Sequence, residues 1–173
     1  MSKKNAGHST DHQTTDNQTK VQVSDPVRRF VDISNARHDD QRDVMRRIIA
    51  AGHCPFCRQN LERYHTPPII KEGKYWLITT NKWPYRHTRH HWLLIGLEHW
   101  ESFAEAPAAA GAELFELVAW LERQHNLPGG GVAIRFGDTD YSAGTVKHLH
   151  AQVIIPDIEA DDFQPTRFKI GKG

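Results

Sequence analysis

The sequence lacks any apolar run long enough to cross a membrane. A spanning helix needs about 20 consecutive apolar residues, and polar residues interrupt every hydrophobic stretch of this 173-residue chain well before that length. The N-terminus is polar and has no apolar stretch of the kind that a secretory signal carries. We therefore expect a cytoplasmic protein of one domain with an appendage, long enough to bury a hydrophobic core.

The chain also has little net charge and few cysteines. Lys and Arg number 22 against 21 for Asp and Glu, which gives a formal net charge of +1. This balance argues against bulk nucleic-acid binding, although it leaves room for a local basic site. Two cysteines cannot form a disulfide framework, and their spacing in Cys54-Pro-Phe-Cys57 indicates metal or redox chemistry.

Composition divides the chain into four segments. Residues 1–25, which include His8 and His12, have almost no large apolar side chain and predict a disordered tail. Residues 26–53 predict an N-terminal helical extension, with Val44 and Ile48 on one face and an end at Gly52. Residues 54–157 form the main domain, and residues 158–173 form a C-terminal tail with little pattern.

The pattern of the main domain predicts an α+β fold with a mostly antiparallel, five-stranded sheet. Two main helices are expected, one of them in the N-terminal extension. Segments 69–71 and 75–80 flank a turn at Gly73 and predict a hairpin, and the apolar run 92–97 predicts a buried strand. A loop is expected after the cysteines, through Pro67 and Pro68. Further strands are predicted at 132–136 and 148–155, after a helix whose apolar residues have helical spacing: Leu114, Leu117, Val118 and Leu121.

The sequence leaves the first residue of this second helix ambiguous. Ser102-Phe-Ala-Glu105 has the form of a capping box, which predicts a helix beginning there. Pro107 suits the first turn of a helix and indicates a later start.

The stretch from His148 to Gln152 places polar side chains at alternate positions of a predicted strand. Alternate residues share one face, so His148, His150 and Gln152 point together while Leu149 and Ala151 point to the other side. Such a strand is more typical of a functional site than of a core. Two surface histidines on an edge strand are the alternative.

The segment 144–156 resembles the active-site strand of the histidine triad superfamily, whose common pattern is His-x-His-x-His. The resemblance extends over residues 54–156 and implies a nucleotidyl transferase or nucleotide hydrolase. It also implies that His150 attacks the α-phosphorus of a nucleotide and forms a nucleotidyl-histidine intermediate, a reaction that needs an unprotonated ring nitrogen.

Gln152 occupies the third position of the motif. The His-x-His-x-Gln form resembles the branch of the superfamily that contains galactose-1-phosphate uridylyltransferase and certain diadenosine tetraphosphate phosphorylases. A glutamine can donate a hydrogen bond to a phosphate oxygen, but it cannot act as a general acid. This favours transfer or phosphorolysis over hydrolysis, with a dinucleoside polyphosphate or a nucleotide-sugar-like compound as substrate.

The resemblance also implies a structural zinc site with Cys54, Cys57, His99 and His148 as ligands. Four protein ligands leave no position for a reactive water, and the ion would orient the strand that carries His150. A reduced, buried cysteine pair is one alternative. A thioredoxin-like redox motif is another, and it expects a helix directly after the cysteines.

Further positions match substrate-binding residues of the superfamily. Asn81 begins an Asn-x-x-Pro-Tyr segment and is implied to contact the ribose or base, although it could merely cap a proline turn. His91 and Thr145 match a family histidine and a Ser/Thr near the phosphate. The basic segment 86–90 could meet phosphates or form a solvated loop. Because members commonly pair their sheets, a homodimer is expected.

Three other functions stay open at this point. The chain could be a nucleotide hydrolase of the same fold, or a non-catalytic, zinc-stabilised nucleotide-binding protein in which Gln152 marks lost activity. It could also be a metallo-hydrolase that uses His148 and His150 as ligands of a catalytic metal. The last hypothesis leaves Cys54, Cys57 and His99 without a role.

Overall fold

A five-stranded antiparallel sheet organises the residues that the computed structural model describes, 29–172. Its strand order is β1-β2-β3-β5-β4, and every neighbouring pair is antiparallel. The strands are β1 (Ile69–Glu72), β2 (Trp76–Thr80), β3 (Thr88–Gly96), β4 (Gly131–Arg135) and β5 (His150–Pro156). The predicted α+β class and the five-stranded sheet are confirmed. The tail prediction for residues 1–25, with His8 and His12, lies outside the described residues.

Within residues 29–172, four α-helices accompany the sheet: α1 (Asp39–Ala51), α2 (Arg58–Tyr64), α3 (Ala108–His125) and α4 (Thr139–Ser142). A 3₁₀ turn at Ile33–Asn35 precedes α1. The two longest helices, α1 and α3, are the two main helices that the sequence predicts. No helix among the described residues has the length and apolar character that a membrane crossing requires.

The observed ends of the helices and strands agree with one sequence-based expectation and differ from two others. Helix α1 stops at Gly52, whose φ of 65° terminates it as predicted. Helix α3 begins after Pro107 rather than at Ser102, and the carboxylate of Glu105 instead accepts the backbone N–H of Glu101 at 2.6 Å. Strand β3 begins at Thr88 rather than near Trp92. The apolar run could not indicate its first residues, because they are polar and join the strand only through ladder hydrogen bonds.

Helix α2 was expected to be a loop. It spans only seven residues, too few for an apolar repeat to identify, and of its apolar side chains Leu61 is the buried one. Leu61 packs with Leu77 and Ile95 of the sheet. The short helix therefore depends on tertiary packing rather than on its own pattern.

The two faces of the sheet have different partners. One face packs against α3 in the largest core cluster, which includes Trp76, Trp92 and Leu94. The other face packs against α2 and lies towards the segment that carries α1, where Val44, Met45 and Ile48 form a separate cluster with Val31. The strand residues between these units face the cavity described below.

Residues near both ends of the described chain are tied to the loop before β5. The buried Asp32 carboxylate accepts the hydroxyl of Thr139 at 2.8 Å and pairs with Lys172 at 3.0 Å. The backbone N–H of Lys147 donates to the Phe30 carbonyl at 2.8 Å. The predicted extension and C-terminal tail thus both pack on the domain in their described parts.

Replacing His65 with Gln is expected to make the fold less sensitive to acid. The Thr79 hydroxyl donates to the Pro68 carbonyl at 2.9 Å, so the His65 Nε2–H donates to Thr79 Oγ1 at 2.9 Å. Burial lowers the pKa of His65 from 6.5 to about 4, so the unfolded chain takes up this proton at higher pH than the folded protein. The free energy of unfolding therefore falls as the pH decreases from 6.5 to 4, by up to about 1.4 kcal/mol per pH unit for this group.

Urea unfolding at neutral pH and at about pH 4.5 measures this effect. His65→Gln should lose less free energy of unfolding between the two conditions than the unmodified protein. His38→Gln, which changes an exposed histidine, is the matched control and should lose as much as the unmodified protein. Equal losses in all three proteins would contradict the prediction.

Candidate active site and metal centre

Four predicted ligands from three separate segments meet beside the start of β5. The ligand atoms of Cys54, Cys57, His99 and His148 all lie within 4.8 Å of one another, and the group can hold a metal ion. Cys54 Sγ is 3.4 Å from His148 Nδ1, and Cys57 Sγ is 3.4 Å from His99 Nδ1. Metal–ligand bonds of about 2.0–2.3 Å in a tetrahedron place neighbouring ligand atoms about 3.3–3.8 Å apart, which these distances match.

The second ring nitrogen of each histidine is already hydrogen-bonded. His148 Nε2 donates to the carbonyl of Gly96 at 2.7 Å, and this bond leaves Nδ1 unprotonated towards the cysteines. His99 Nε2 lies 3.4 Å from the carboxylate of Glu101. Metal-binding histidines are held in this way by carbonyl or carboxylate partners, which fix the tautomer and the orientation of the ring.

The protonation preferences of the cluster argue against a redox role for the cysteines. Without a bound cation, burial raises the pKa of Cys54 to about 12 and also raises the pKa of Cys57, whereas a redox-active cysteine needs a lowered pKa and a metal ion deprotonates its own cysteine ligands. Helix α2 does follow the cysteines, as a thioredoxin-like motif requires. The expected loop at this position therefore cannot be used to exclude a redox motif. Burial lowers the pKa of His148 to about 4, which keeps the ring neutral as a metal ligand requires.

His150 is the first residue of β5 and lies in the middle of the sheet. It pairs with Ile95 of β3 on one side and with Arg135 of β4 on the other. Its Nδ1–H donates to the backbone carbonyl of His148 at 2.6 Å, so Nε2 is the nitrogen with the free lone pair. Burial lowers the pKa of His150, which keeps this ring neutral. A neutral imidazole with one fixed nitrogen and one free nitrogen can act as a nucleophile.

Phe56 connects the cysteine loop to His150. Its ring meets the His150 ring edge-on at a centroid distance of 5.2 Å and the His148 ring at 6.1 Å. This residue, one of the two between the cysteines, therefore restricts the rotation of the candidate nucleophile. The sequence analysis assigned no role to it.

Gln152 is oriented by a buried histidine behind it. The backbone N–H of Tyr85 donates to His91 Nδ1 at 3.1 Å, so in the neutral ring Nε2 carries the proton. This Nε2–H donates to Gln152 Oε1 at 3.1 Å, and the same nitrogen lies 3.1 Å from Asn81 Nδ2. Burial lowers the pKa of His91 to about 4, which keeps the ring neutral. With its oxygen fixed, Gln152 keeps its amide NH₂ as a donor for a ligand.

A cavity of about 310 Å³ lies beside His150 and Gln152. Its apolar lining includes Met45 and Ile48 of α1 together with Phe56. The cations that line it are Arg37, Lys82, Arg135, Arg167 and Lys169. A pocket lined by both apolar and basic side chains can accommodate a ligand that has an aromatic part and an anionic part.

Two of the three predicted substrate-binding residues line this cavity. Asn81 and Thr145 are at its wall, and Asn81 also caps the following turn by accepting the Trp83 backbone N–H at 2.9 Å. His91 is not among the lining residues and contacts Gln152 from behind.

The basic segment 86–90, which runs into β3, lies outside the His150 cavity. Arg89 pairs with Asp157 and Glu159, and Arg86 pairs with Asp162. His90 stacks on Trp92, on the α3 side of the sheet. None of these three lines the His150 cavity.

Arg37, Tyr85 and Arg135 are cavity residues without an assigned role in the sequence analysis. Arg37 lies in the N-terminal segment, where no motif identifies it. The sequence pattern assigns no role to Arg135, and its register opposite His150 is the signal that identifies it.

No family model and no curated protein matches the sequence. Solved structures do match the fold. A hypothetical protein from Leishmania major is 21% identical, with a TM-score of 0.52 over 71% of this chain and 86% of that chain. A histidine triad nucleotide-binding protein from Candida albicans is 18% identical, with a TM-score of 0.51 over 66% of this chain and 85% of that one. A hypothetical histidine triad nucleotide-binding protein from Sulfolobus tokodaii is 23% identical, with a TM-score of 0.49 over 69% and 81%. The likeness to the Candida albicans protein shows that the chain has the fold of histidine triad proteins.

Titration with Co²⁺ is expected to show one ion bound per chain with thiolate-to-metal charge-transfer absorption. Cys54→Ser removes a thiolate ligand and should weaken this binding by more than about 100-fold. His53→Ala is the matched control, because His53 is next to Cys54 in the chain but contacts Tyr64 rather than the cluster. Absence of the absorption in the unmodified protein, or equal affinity in Cys54→Ser, would show that the cluster holds no metal.

Proposed function

We propose that this protein belongs to the histidine triad superfamily and is a nucleotidyl transferase or phosphorylase. It acts at the α-phosphate of a dinucleoside polyphosphate or a nucleotide-sugar-like substrate and forms a nucleotidyl-histidine on His150. The observation that carries the proposal is the hydrogen bond from His150 Nδ1 to the His148 carbonyl, in a side chain that lines the cavity. The name of the Candida albicans structure, a nucleotide-binding protein, supports a nucleotide as the ligand.

The reaction has two steps that balance without a redox partner. In the first, His150 Nε2 forms a bond to the α-phosphorus, and the bond from phosphorus to the bridging oxygen breaks with release of the remaining phosphate-containing group. In the second, an oxygen of inorganic phosphate or of another acceptor attacks the same phosphorus and breaks the phosphorus–nitrogen bond. The Nδ1–H bond to the His148 carbonyl stabilises the positive charge on the ring in the intermediate.

Gln152 supports transfer or phosphorolysis rather than hydrolysis. Its amide NH₂ can donate to a non-bridging oxygen of the attacked phosphate while His91 holds its carbonyl oxygen. It has no proton to give to a leaving group. Phosphate leaving groups are already stable as anions at neutral pH, so a substrate with such a group does not need that proton.

We further propose that Cys54, Cys57, His99 and His148 hold a structural zinc ion. Two thiolates and two neutral imidazoles are a common donor set for zinc, and four protein ligands fill its tetrahedron. The ion would supply folding energy and fix the loop that carries Phe56. His150 is not part of this group, which supports a nucleophilic role over the metallo-hydrolase alternative.

Two expectations stay predictions. The homodimer that the resemblance implies would pair sheets at an edge, and β4 is an edge strand with Val132 exposed. The cytoplasmic location also stays a prediction.

The intact mass of the protein after mixing with diadenosine tetraphosphate tests the proposed reaction. We expect an increase of one adenylyl group that persists without phosphate and disappears when phosphate is added, with release of ADP. His150→Ala should form no adduct because the attacking nitrogen is absent. His125→Ala, which removes an exposed histidine at the end of α3, should form the adduct as the unmodified protein does.

The same experiment separates the alternatives. Continuous turnover in water without phosphate would identify a hydrolase. Binding of the dinucleotide without adduct or turnover, with unchanged affinity in His150→Ala, would contradict the catalytic proposal and identify a binding protein.

A further inference from the structure

The cavity wall beside His150 carries an excess of positive charge. Five cations line it, and in the described part of the chain no Asp or Glu is among its lining residues. Lys82 and Arg135 lie within the segment that resembles the superfamily, whereas Arg37 comes from the N-terminal segment, and Arg167 and Lys169 come from the C-terminal one. The charge is therefore supplied in large part by chain segments outside the resemblance.

Tyr85 holds two of these cations next to each other. The guanidinium carbon of Arg37 lies 4.2 Å from the centroid of the Tyr85 ring, and Arg37 Nη2 donates to the Trp83 carbonyl at 2.6 Å. Arg135 Nη1 donates to the Tyr85 hydroxyl at 3.3 Å, and its Nη2 donates to the Lys169 carbonyl at 2.9 Å. These partners are neutral, so they fix the position of both guanidinium groups without neutralising their charges.

Neither arginine forms an ion pair with a carboxylate among residues 29–172. Burial is the main cause that lowers the pKa of Arg37, and the nearby charge of Arg135 lowers it further against the opposing effect of Tyr85. Two adjacent like charges destabilise each other, and an anion placed between them removes this cost.

Both arginines stand near the candidate nucleophile in one cavity. Arg135 pairs in register with His150 across β4 and β5. Arg37 stacks on the ring of Tyr85, whose hydroxyl accepts from Arg135, and all three residues line the cavity together with His150. A ligand whose phosphorus is attacked by His150 therefore meets the positive charge of these two arginines in the same cavity.

We propose that Arg37 and Arg135 bind the phosphate groups that follow the attacked phosphorus. The substrate class is then a nucleotide with at least two phosphates beyond the attacked one, which favours a dinucleoside polyphosphate over a nucleotide sugar. Guanidinium groups bind phosphate oxygens through paired, charge-assisted hydrogen bonds, and two of them suit a chain of phosphates. This assignment rests on the proposed function of His150.

The test compares two substrates that carry the same adenylyl group. Diadenosine tetraphosphate has a polyanionic leaving group, whereas the 4-nitrophenyl ester of AMP has no phosphate beyond the attacked one. The measured quantity is kcat/KM for diadenosine tetraphosphate divided by kcat/KM for the 4-nitrophenyl ester. Arg37→Gln should lower this ratio by about tenfold or more, and Arg37→Lys should restore part of it. Arg86→Gln, which changes an exposed arginine paired with Asp162, is the matched control and should leave the ratio unchanged.

Binding of inorganic tripolyphosphate, measured by calorimetry, tests the site without chemistry. We expect Arg37→Gln to weaken it by about tenfold and Arg86→Gln to leave it unchanged. An unchanged substrate ratio and unchanged tripolyphosphate affinity in Arg37→Gln, while His150 still forms its adduct, would overturn the role of Arg37 and leave the proposed function intact. Arg37-dependent tripolyphosphate binding in a protein that forms no adduct would support the phosphate site and overturn the proposed function.

Discussion

His148 connects the Cys–His cluster to the candidate nucleophile through its own backbone. Its ring lies 3.4 Å from Cys54 in this cluster, and its carbonyl oxygen accepts the Nδ1–H of His150 at 2.6 Å. Because the His148 ring is held by Cys54 on one side and by the Gly96 carbonyl on the other, the residue has little freedom to move its own carbonyl. The tautomer and orientation of His150 therefore depend on the cluster, with Phe56 as a second contact between the same two units.

The rest of the site is arranged around this fixed point in two layers. Behind the strand residues, buried hydrogen bonds hold the side chains that face a ligand, as His91 does for Gln152. In front of them, α1 and the terminal segments close the cavity with apolar groups and arginines. The buried Asp32, bonded to Thr139 and Lys172, keeps those segments in place. The histidine triad fold thus positions the candidate nucleophile, and the appended segments line the cavity beside it.

The sequence was sufficient for the fold class and the five strands, which depend on strong local signals such as the period of two in β5 and the helical spacing in α3. The convergence of Cys54, Cys57, His99 and His148 was expected from the resemblance to the histidine triad superfamily, because the two cysteines alone leave the other two ligands open. Helix α2 could not be predicted because a seven-residue helix with one buried apolar side chain has no periodicity. Arg37 could not be predicted because its role arises from the packing of a distant segment against Tyr85. Arg135 became identifiable only through its register with His150.

The most direct test of this account is the location of the covalent adduct. The protein would be mixed with diadenosine tetraphosphate without phosphate, kept at alkaline pH, digested and sequenced by tandem mass spectrometry. The account predicts an adenylyl group on the peptide that contains His150, attached to that side chain. An adenylyl group on any other residue, with His150 unmodified while the substrate is consumed, would contradict it.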